Sequence, residues 1–374
     1  MINGLSLFAN VGIAETYLEE VGVKIVVANE LLKERADFYS HLYPDCKMIQ
    51  GDITDGNIYN RIIEESKKKK VDFIIATPPC QGMSLAGKKD ENDKRNYLIE
   101  YAVSAILDLM PKYVFLENVT MQLKTSIMVR GEKMLIPDYL KKELGLHYKF
   151  NSDNILNTKY YGVPQQRKRA VFLLVRRDLK TEWELPPHEK IVTLREAIGD
   201  LPSLDPFIKE EEYRKNFPDY ERKRIEGLRI SKWHYARPHV WRNVECMMHT
   251  PTGMSARKNP IYYPKKPDGT MNGGAPRTYM RMDWDKPSST ITIYNHTISS
   301  FQNVHPGRPL GNGLYSDHRV LTIFELMRVM SLPDDWNIPD WADEKLIRTV
   351  IGEGIPPLAV KKIVGVLKLG GRKK

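Results

Sequence analysis

The sequence predicts an α/β fold with a doubly wound, mixed sheet and a second, smaller domain. In the first half of the chain, short apolar runs alternate with helix-like stretches. This rhythm is typical of parallel strands whose helices cover both faces of a sheet. From about Leu185 to Val320 the alternation disappears, and Pro, Trp, Tyr, Arg and His become frequent. That change in composition and periodicity indicates a second and less regular domain.

Five short apolar runs predict the strands, in chain order Gly4–Ala9, Lys24–Glu30, Lys47–Asp52, Val71–Thr77 and Tyr113–Val119. The stretches that separate or follow them predict helices, namely Ile13–Gly22, Leu31–Tyr43, Asn57–Lys70 and Tyr97–Met110. Further helices are predicted at Val320–Met330 and after Pro356–Pro357. We expect the last helix to pack back onto the first domain. The predicted division is residues 1–184, then 185–320, then a hinge and returning helix at 321–374.

Composition and charge limit the classes of protein that fit this chain. Its 374 residues contain 41% hydrophobic residues and only three cysteines, Cys46, Cys80 and Cys246. Few and widely separated cysteines favour a reducing compartment and argue against a disulfide framework. The N-terminus lacks a signal-peptide layout and no apolar run approaches membrane-spanning length, so a cytoplasmic protein is expected. A net charge of +10 favours a polyanionic partner without requiring one.

Polar residues stand at the end of every predicted strand. They are Asn10 to Gly12, Glu30, Asp52, Cys80 and the pair Glu117–Asn118. In an open parallel sheet, ligands bind outside the carboxyl ends of the strands. Any one of these residues could be an ordinary cap, but five strand ends on one rim predict an active site.

The turn after the first strand indicates which cofactor this rim binds. Between Phe8 and Thr16 only Gly12 is a glycine, whereas pyrophosphate binding needs several glycines. A dinucleotide is therefore disfavoured. Glu30 suits a ribose diol, and S-adenosyl-L-methionine (AdoMet) is a nucleoside without phosphates. Phe8 is a candidate for stacking on its adenine.

Seven motifs occur in one order along the chain, namely "SLFANVG", "NE", "GD", "TPPCQGMS", "ENV", "QQRKR" and "GEGIPPLA". Together they resemble the motif series of DNA (cytosine-C5) methyltransferases of the prokaryotic restriction–modification type. The resemblance implies the Rossmann-like sheet of AdoMet-dependent methyltransferases, with residues 1–184 as the catalytic domain and 185–320 as the target-recognition domain. The most specific part of the resemblance is the occurrence of both Pro79-Cys80-Gln81 and Glu117-Asn118-Val119 in one chain.

The resemblance also implies roles for individual residues. The catalytic set is Cys80, Glu117, Arg167 and Arg169. The AdoMet contacts are Phe8, Asn10, Gly12, Glu30, Asp52, Pro79 and Glu353. The DNA contacts are Gln81, Ser84, Arg95, Arg237, Gly273 and Gly274. No metal is expected.

The chemistry of cytosine explains why this set belongs together. C5 is too poor a nucleophile to take a methyl group from AdoMet unaided. Addition of the Cys80 thiolate to C6 makes C5 electron-rich, and Glu117 protonates N3 to remove the charge so created. The target base must leave the duplex to reach these groups.

Two departures from the family pattern stand out. The first turn carries Ser6, Asn10 and Ile13 where the family has an acidic residue and more glycines. The last motif has Glu353 where the family usually has Asn. These departures put individual AdoMet contacts in doubt, but not the fold.

The leading hypothesis is a sequence-specific DNA cytosine-C5 methyltransferase acting on double-stranded DNA. A tRNA-methylating enzyme with the same chemistry and a catalytically inactive DNA-binding relative are the alternatives. We expect a monomer associated with the nucleoid, with no membrane partner. A restriction endonuclease encoded nearby could accompany it without forming a stable complex.

Overall fold

A mixed sheet forms the centre of the protein, as the sequence predicts. The computed structural model describes residues 1–79 and 97–370, and eight strands of these residues form one sheet. These eight strands are β1 (Ile2–Leu7), β2 (Val23–Glu30), β3 (Lys47–Gln50), β4 (Val71–Ala76), β5 (Tyr113–Asn118), β8 (Tyr148–Phe150), β9 (Ile155–Asn157) and β10 (Lys168–Arg176). Short two-stranded pairings lie outside it: β6 (Ser126–Val129) with β7 (Glu132–Leu135), β11 (Phe207–Ile208) with β12 (Pro238–His239), and β13 (Pro309–Gly311) with β14 (Leu314–Tyr315).

The strand order of the sheet is β3-β2-β1-β4-β5-β10-β8, with β9 also paired to β10. Neighbours among β1 to β5 are parallel, whereas β10 runs antiparallel to β5, β8 and β9. The chain order reverses direction between β1 and β4. This is the topological switch point, where open α/β sheets bind their ligands.

The helices are α1 (Lys33–Leu42), α2 (Gly56–Lys68), α3 (Leu98–Leu109), α4 (Ile136–Leu144), α5 (Leu194–Ile198), α6 (Tyr220–Ile230), α7 (Trp241–Met248), α8 (Ile323–Val329), α9 (Glu344–Glu353) and α10 (Pro357–Gly365). None of the helices in the described ranges is both long and apolar enough to cross a membrane.

The predicted helix at Ile13–Gly22 is wrong. The segment instead forms two short 3-10 turns, Ile13–Glu15 and Glu19–Val21. Glu15 explains the difference, because its side chain turns inward and is only 5% exposed. An amphipathic α-helix in this register would place that carboxylate on its polar face.

Two apolar clusters cover the two faces of the sheet. One contains residues of α2, α3 and α4, and the other contains Ala359, Val360, Ile363 and Val364 of α10. Trp183 donates a hydrogen bond from Nε1 to the carbonyl of Ile363 at 2.9 Å. The C-terminal helix therefore packs on the sheet formed by the first half of the chain.

Buried arginines hold together the irregular segments after β10. Arg281, Arg319 and Arg348 are at most 2% exposed. Arg281 alone donates to four backbone carbonyls at 2.8–3.0 Å, those of Met247, His305, Ser316 and Asp317. Buried carbonyls in irregular segments and at helix ends need partners, and these guanidinium groups supply them.

Candidate active site

The turn after β1 lies at the switch point and has an unusual backbone. Phe8, Asn10 and Gly12 have φ angles of 59°, 51° and 79°. Non-glycine residues rarely adopt positive φ, and such strain persists where the surroundings enforce it, commonly at functional sites. Gly12 has a steric reason as well, because a Cβ there would overlap the ring of Tyr43, whose hydroxyl donates to the Gly12 carbonyl at 2.6 Å.

A buried carboxyl lies beneath this turn. Ser6 donates to Glu15 Oε1 at 2.5 Å and the Tyr39 hydroxyl donates to Oε2. Burial raises the pKa of Glu15 to about 7, although both hydrogen bonds oppose the shift. Ser6, at a position where the resemblance predicts an acidic residue, thus has the carboxyl of Glu15 beside it.

Glu30 ends β2 and faces the same turn. Its two oxygens accept hydrogen bonds from the backbone N–H groups of Asn10 and Leu32, both at 2.9 Å. The residue is 6% exposed, and burial raises the pKa of its carboxyl. Each carboxylate oxygen retains a second lone pair, so Glu30 can still accept from a ribose diol.

Asp52 and Pro79 follow the ends of β3 and β4. Asp52 is exposed and accepts a hydrogen bond from the N–H of Thr54 at 2.9 Å. Pro79 is half-buried. Both residues follow strand ends at this rim, and their contacts to AdoMet stay predictions.

Glu353 contacts Asn10 directly and is also held by Arg35, a cation that belongs to none of the motifs. Arg35 Nη1 lies 2.8 Å from Glu353 Oε2, and Arg35 Nη2 donates to Oε1 at 3.2 Å. Glu353 Oε2 also accepts from Asn10 Nδ2 at 3.3 Å. The sequence held one signal for this cation, namely Glu353 in place of the Asn that the family pattern has. A carboxylate at that position indicates a nearby positive charge.

Glu117 and Arg169 form an ion pair at the end of β5. Glu117 Oε1 lies 2.8 Å from Arg169 Nε, with both side chains largely buried. Antiparallel pairing sets this contact, because Val171 lies opposite Glu117 and Ala170 opposite Asn118. Burial raises the pKa of Glu117, while Arg169 and then Arg167 oppose the shift.

Arg167 is 1% exposed and ties three segments together. It donates to the backbone carbonyls of Ile291 at 2.7 Å, Gly352 at 3.0 Å and Glu353 at 2.8 Å. These bonds link the start of β10 to the end of α9 that carries Glu353. Its predicted role beside the base stays a prediction.

Asn118 fixes the loop that leads to the predicted nucleophile. It donates from Nδ2 to the carbonyl of Pro78 at 3.0 Å, and its Oδ1 accepts from the N–H of Val119 at 2.8 Å. The end of β5 is thereby joined to the loop after β4. Four predicted site residues lie outside the described residues: Cys80, Gln81, Ser84 and Arg95.

The remaining predicted DNA contacts lie in the middle of the chain. Arg237 is partly exposed and pairs with Glu344 at 3.6 Å. Gly273 and Gly274 lie in an exposed segment, where Arg257 donates to the Gly273 carbonyl at 2.6 Å. The structure places the glycine pair on an accessible surface, whereas Arg237 already has a partner.

Comparison with known proteins adds the family context of this site. Residues 2–369 match the family model described as C-5 cytosine-specific DNA methylase. The chain is 46% identical to Type II methyltransferase M1.HgaI of Avibacterium volantium, over 97% of each chain. It is 28% identical to Type II methyltransferase M1.HphI of Haemophilus parahaemolyticus, over 98% of this chain and 86% of that protein.

Solved structures share the fold. A prophage-encoded protein of E. coli superposes with a TM-score of 0.67 at 20% identity, covering 99% of both chains. DNMT2 of Spodoptera frugiperda superposes with a TM-score of 0.56 at 18% identity, again over 99% of both chains. At these identities the likeness concerns the fold alone.

Proposed function

The chain belongs to the C-5 cytosine-specific DNA methylase family, and from this premise we propose the finer points of its reaction as a DNA cytosine-C5 methyltransferase. It transfers a methyl group from AdoMet to C5 of a cytosine flipped out of double-stranded DNA, within a specific sequence. The reaction proceeds through a covalent bond between Cys80 and C6 of the base.

The observation that supports this proposal most is the Glu117–Arg169 pair at the end of β5. The two charged groups are largely buried at 2.8 Å from each other, and the hydrogen bond from Asn118 joins the same strand end to Pro78. Residue 80 follows this loop directly. A buried carboxyl and guanidinium beside a cysteine-bearing loop suit a polar ring that is attacked by a thiolate.

The proposed reaction has three steps. The Cys80 sulfur adds as a thiolate to C6, and Glu117 gives a proton to N3. C5 then takes the methyl group that AdoMet supplies. Solvent takes the C5 proton, N3 returns its proton to the Glu117 carboxylate, and expulsion of the Cys80 thiolate restores the aromatic ring. We assign the O2 edge of the base to Arg169, whose charge also opposes the effect of burial on the pKa of Glu117.

The residues around the turn after β1 fit AdoMet. Asn10 Oδ1 is buried and has no hydrogen-bond partner in the described part of the chain, so it can accept from a ligand donor. Glu30 can accept from the ribose, and Phe8 and Asp52 lie at the ends of the adjoining strands. A backbone held at positive φ beside a buried carboxylate suits a nucleoside better than a diphosphate.

An exposed hairpin in the middle region is suited to contact DNA. The backbones of Lys265 and Met271 form a β-bridge, and the backbone N–H of Lys266 donates to the Thr270 carbonyl at 2.8 Å. The exposed segment continues through Gly273 and Gly274 to Arg277. Cationic side chains on an accessible loop are the usual contacts to phosphates.

Replacing Lys266 and Arg277 together by glutamine should weaken DNA binding uniformly across sequences. Each lost phosphate contact should lower the slope of log affinity against log salt by about 1. Lys67→Gln is the control. Lys67 is exposed at the C-terminal end of α2, which leads into the start of β4. It therefore lies at the edge of the sheet opposite the strand ends that carry the site. An unchanged salt slope in the double variant would remove this hairpin from the interface.

The substrate is tested by methyl transfer from labelled AdoMet to duplex DNA and to tRNA in parallel. We expect incorporation into the duplex alone, and bisulfite sequencing of DNA from expressing cells should show 5-methylcytosine in one sequence context. Incorporation into tRNA would favour the RNA-methylating alternative. We further propose a role in a bacterial restriction–modification system in the cytoplasm, which the Type II names of the relatives support.

A further inference from the structure

Arg35 belongs to none of the motifs, yet its side chain contacts Glu353, which ends α9 beside the turn after β1. It lies in the first turn of α1 and holds both oxygens of Glu353, at 2.8 Å and 3.2 Å. The Arg35 and Glu353 side chains are 19% and 28% exposed. A two-point ion pair at this degree of burial is more strongly oriented and less screened than a surface pair.

Glu353, which Arg35 holds in place, in turn restrains the side chain of Asn10. Its Oε2 accepts from Asn10 Nδ2 at 3.3 Å, while the Asn10 backbone N–H donates to Glu30 at 2.9 Å. The amide is therefore held with its nitrogen toward Glu353. Its Oδ1 is buried without a partner among the described residues. An open buried acceptor is rare in folded proteins and indicates a place for a ligand donor.

Arg35 also compensates the negative charges of two neighbouring carboxylates. Glu30 and Glu353 are two carboxylates that both contact Asn10. Burial raises the pKa of Glu30, Glu353 raises it further, and Arg35 lowers it. Without the guanidinium, the two acidic groups would repel each other at the edge of the cofactor site.

We propose that Arg35 is a positioning residue of the cofactor site: it holds Glu353, which orients the Asn10 amide so that Oδ1 accepts from an N–H donor of bound AdoMet. This inference rests on the proposed function, since it takes AdoMet as the cofactor. It also accounts for the departure at Glu353, because an Asn at that position would need no cation. Arg35 and Glu353 then form one functional unit.

The test is a double-mutant cycle on AdoMet binding, measured by titration calorimetry on the full chain without DNA. The variants are Arg35→Met, Glu353→Gln and the double variant. Each single change should raise the Kd about ten-fold, the size of one charge-assisted contact. The double variant should be about as weak as one single variant, since both changes break the same relay.

Lys33→Met is the matched control. Lys33 is an exposed cation of the same helix that pairs with Asp37, and its loss should change the Kd by less than about two-fold. A pH series adds a readout that a merely structural role would not move. The groups that face Glu30 are Arg35, Glu353 and the N–H groups of Asn10 and Leu32. In Arg35→Met, weakening of AdoMet binding on acidification should begin at a higher pH than in the wild type.

Single variants that bind AdoMet like Lys33→Met, or a double variant about a hundred-fold weaker than wild type, would overturn the inference. If Arg35→Met does not fold, Arg35→Lys takes its place; it should give a smaller loss, and its combination with Glu353→Gln should bind no more weakly than Glu353→Gln alone. A wild-type protein that binds no AdoMet would refute the proposed function itself. Wild-type binding with unaffected variants would refute the Arg35 inference alone.

Discussion

Replacing Cys80 by serine is expected to lower kcat for methyl transfer by at least about 10⁴-fold, as loss of a covalent nucleophile does in other enzymes. The thiolate is the species that adds to C6, and a serine hydroxyl stays protonated at neutral pH. AdoMet and DNA binding should persist, because the change removes only the attacking atom. The measurement is single-turnover methyl transfer to duplex DNA, with AdoMet affinity determined on the same preparation.

Cys246→Ser is the control for this prediction. Cys246 is buried in the middle region and its thiol donates to the Asn243 carbonyl at 3.1 Å. Burial raises the pKa of this thiol to about 12, so it is not a thiolate at neutral pH. If Cys246→Ser keeps full activity while Cys80→Ser retains more than about 10⁻⁴ of the wild-type rate, Cys80 is not the nucleophile.

Glu117→Gln is expected to lower kcat by about 10² to 10⁴-fold, the usual contribution of a positioned general acid. Glutamine keeps the shape of the side chain but has no proton to give to N3. Addition of the thiolate then leaves an unneutralised charge on the ring. Glu64→Gln, an exposed carboxylate on α2, should leave kcat unchanged.

The pH profile distinguishes proton donation from a structural role of Glu117. In the wild type, the protonated carboxyl falls with rising pH while the Cys80 thiolate rises. The two effects oppose each other between the two pKa values, and the raised pKa of Glu117 extends the protonated form toward neutral pH. In Glu117→Gln only the thiolate titrates, so the residual rate should rise steadily with pH. A flat profile in the variant would contradict the general-acid role.

The strands could be predicted because their apolar runs are short, continuous and separated by polar stretches. The predicted segments Lys24–Glu30 and Val71–Thr77 match β2 (Val23–Glu30) and β4 (Val71–Ala76) to within one residue at each end. The motif residues at strand ends follow from the same runs. The fold and the rim of the site were therefore accessible from the sequence.

The remaining features depend on contacts between distant parts of the chain. Arg281 and Arg319 look in the sequence like any solvated or phosphate-binding arginine, yet both are fully buried. Arg35 and Glu353 are 318 positions apart; the carboxylate at position 353 indicates a nearby cation, but nothing local identifies Arg35 as that cation. The inward turn of Glu15 likewise depends on Ser6 and Tyr39, which lie on other elements.

The covalent bond between Cys80 and the base is tested most directly with duplex DNA that contains 5-fluorocytosine at the target position. After methyl transfer, fluorine cannot leave C5 as the proton does, so the thiolate cannot be expelled and the protein stays attached. Intact mass and peptide mapping should show a one-to-one adduct on Cys80 that forms only with AdoMet. Tight non-covalent binding without an adduct, or an adduct on another residue, would contradict the mechanism.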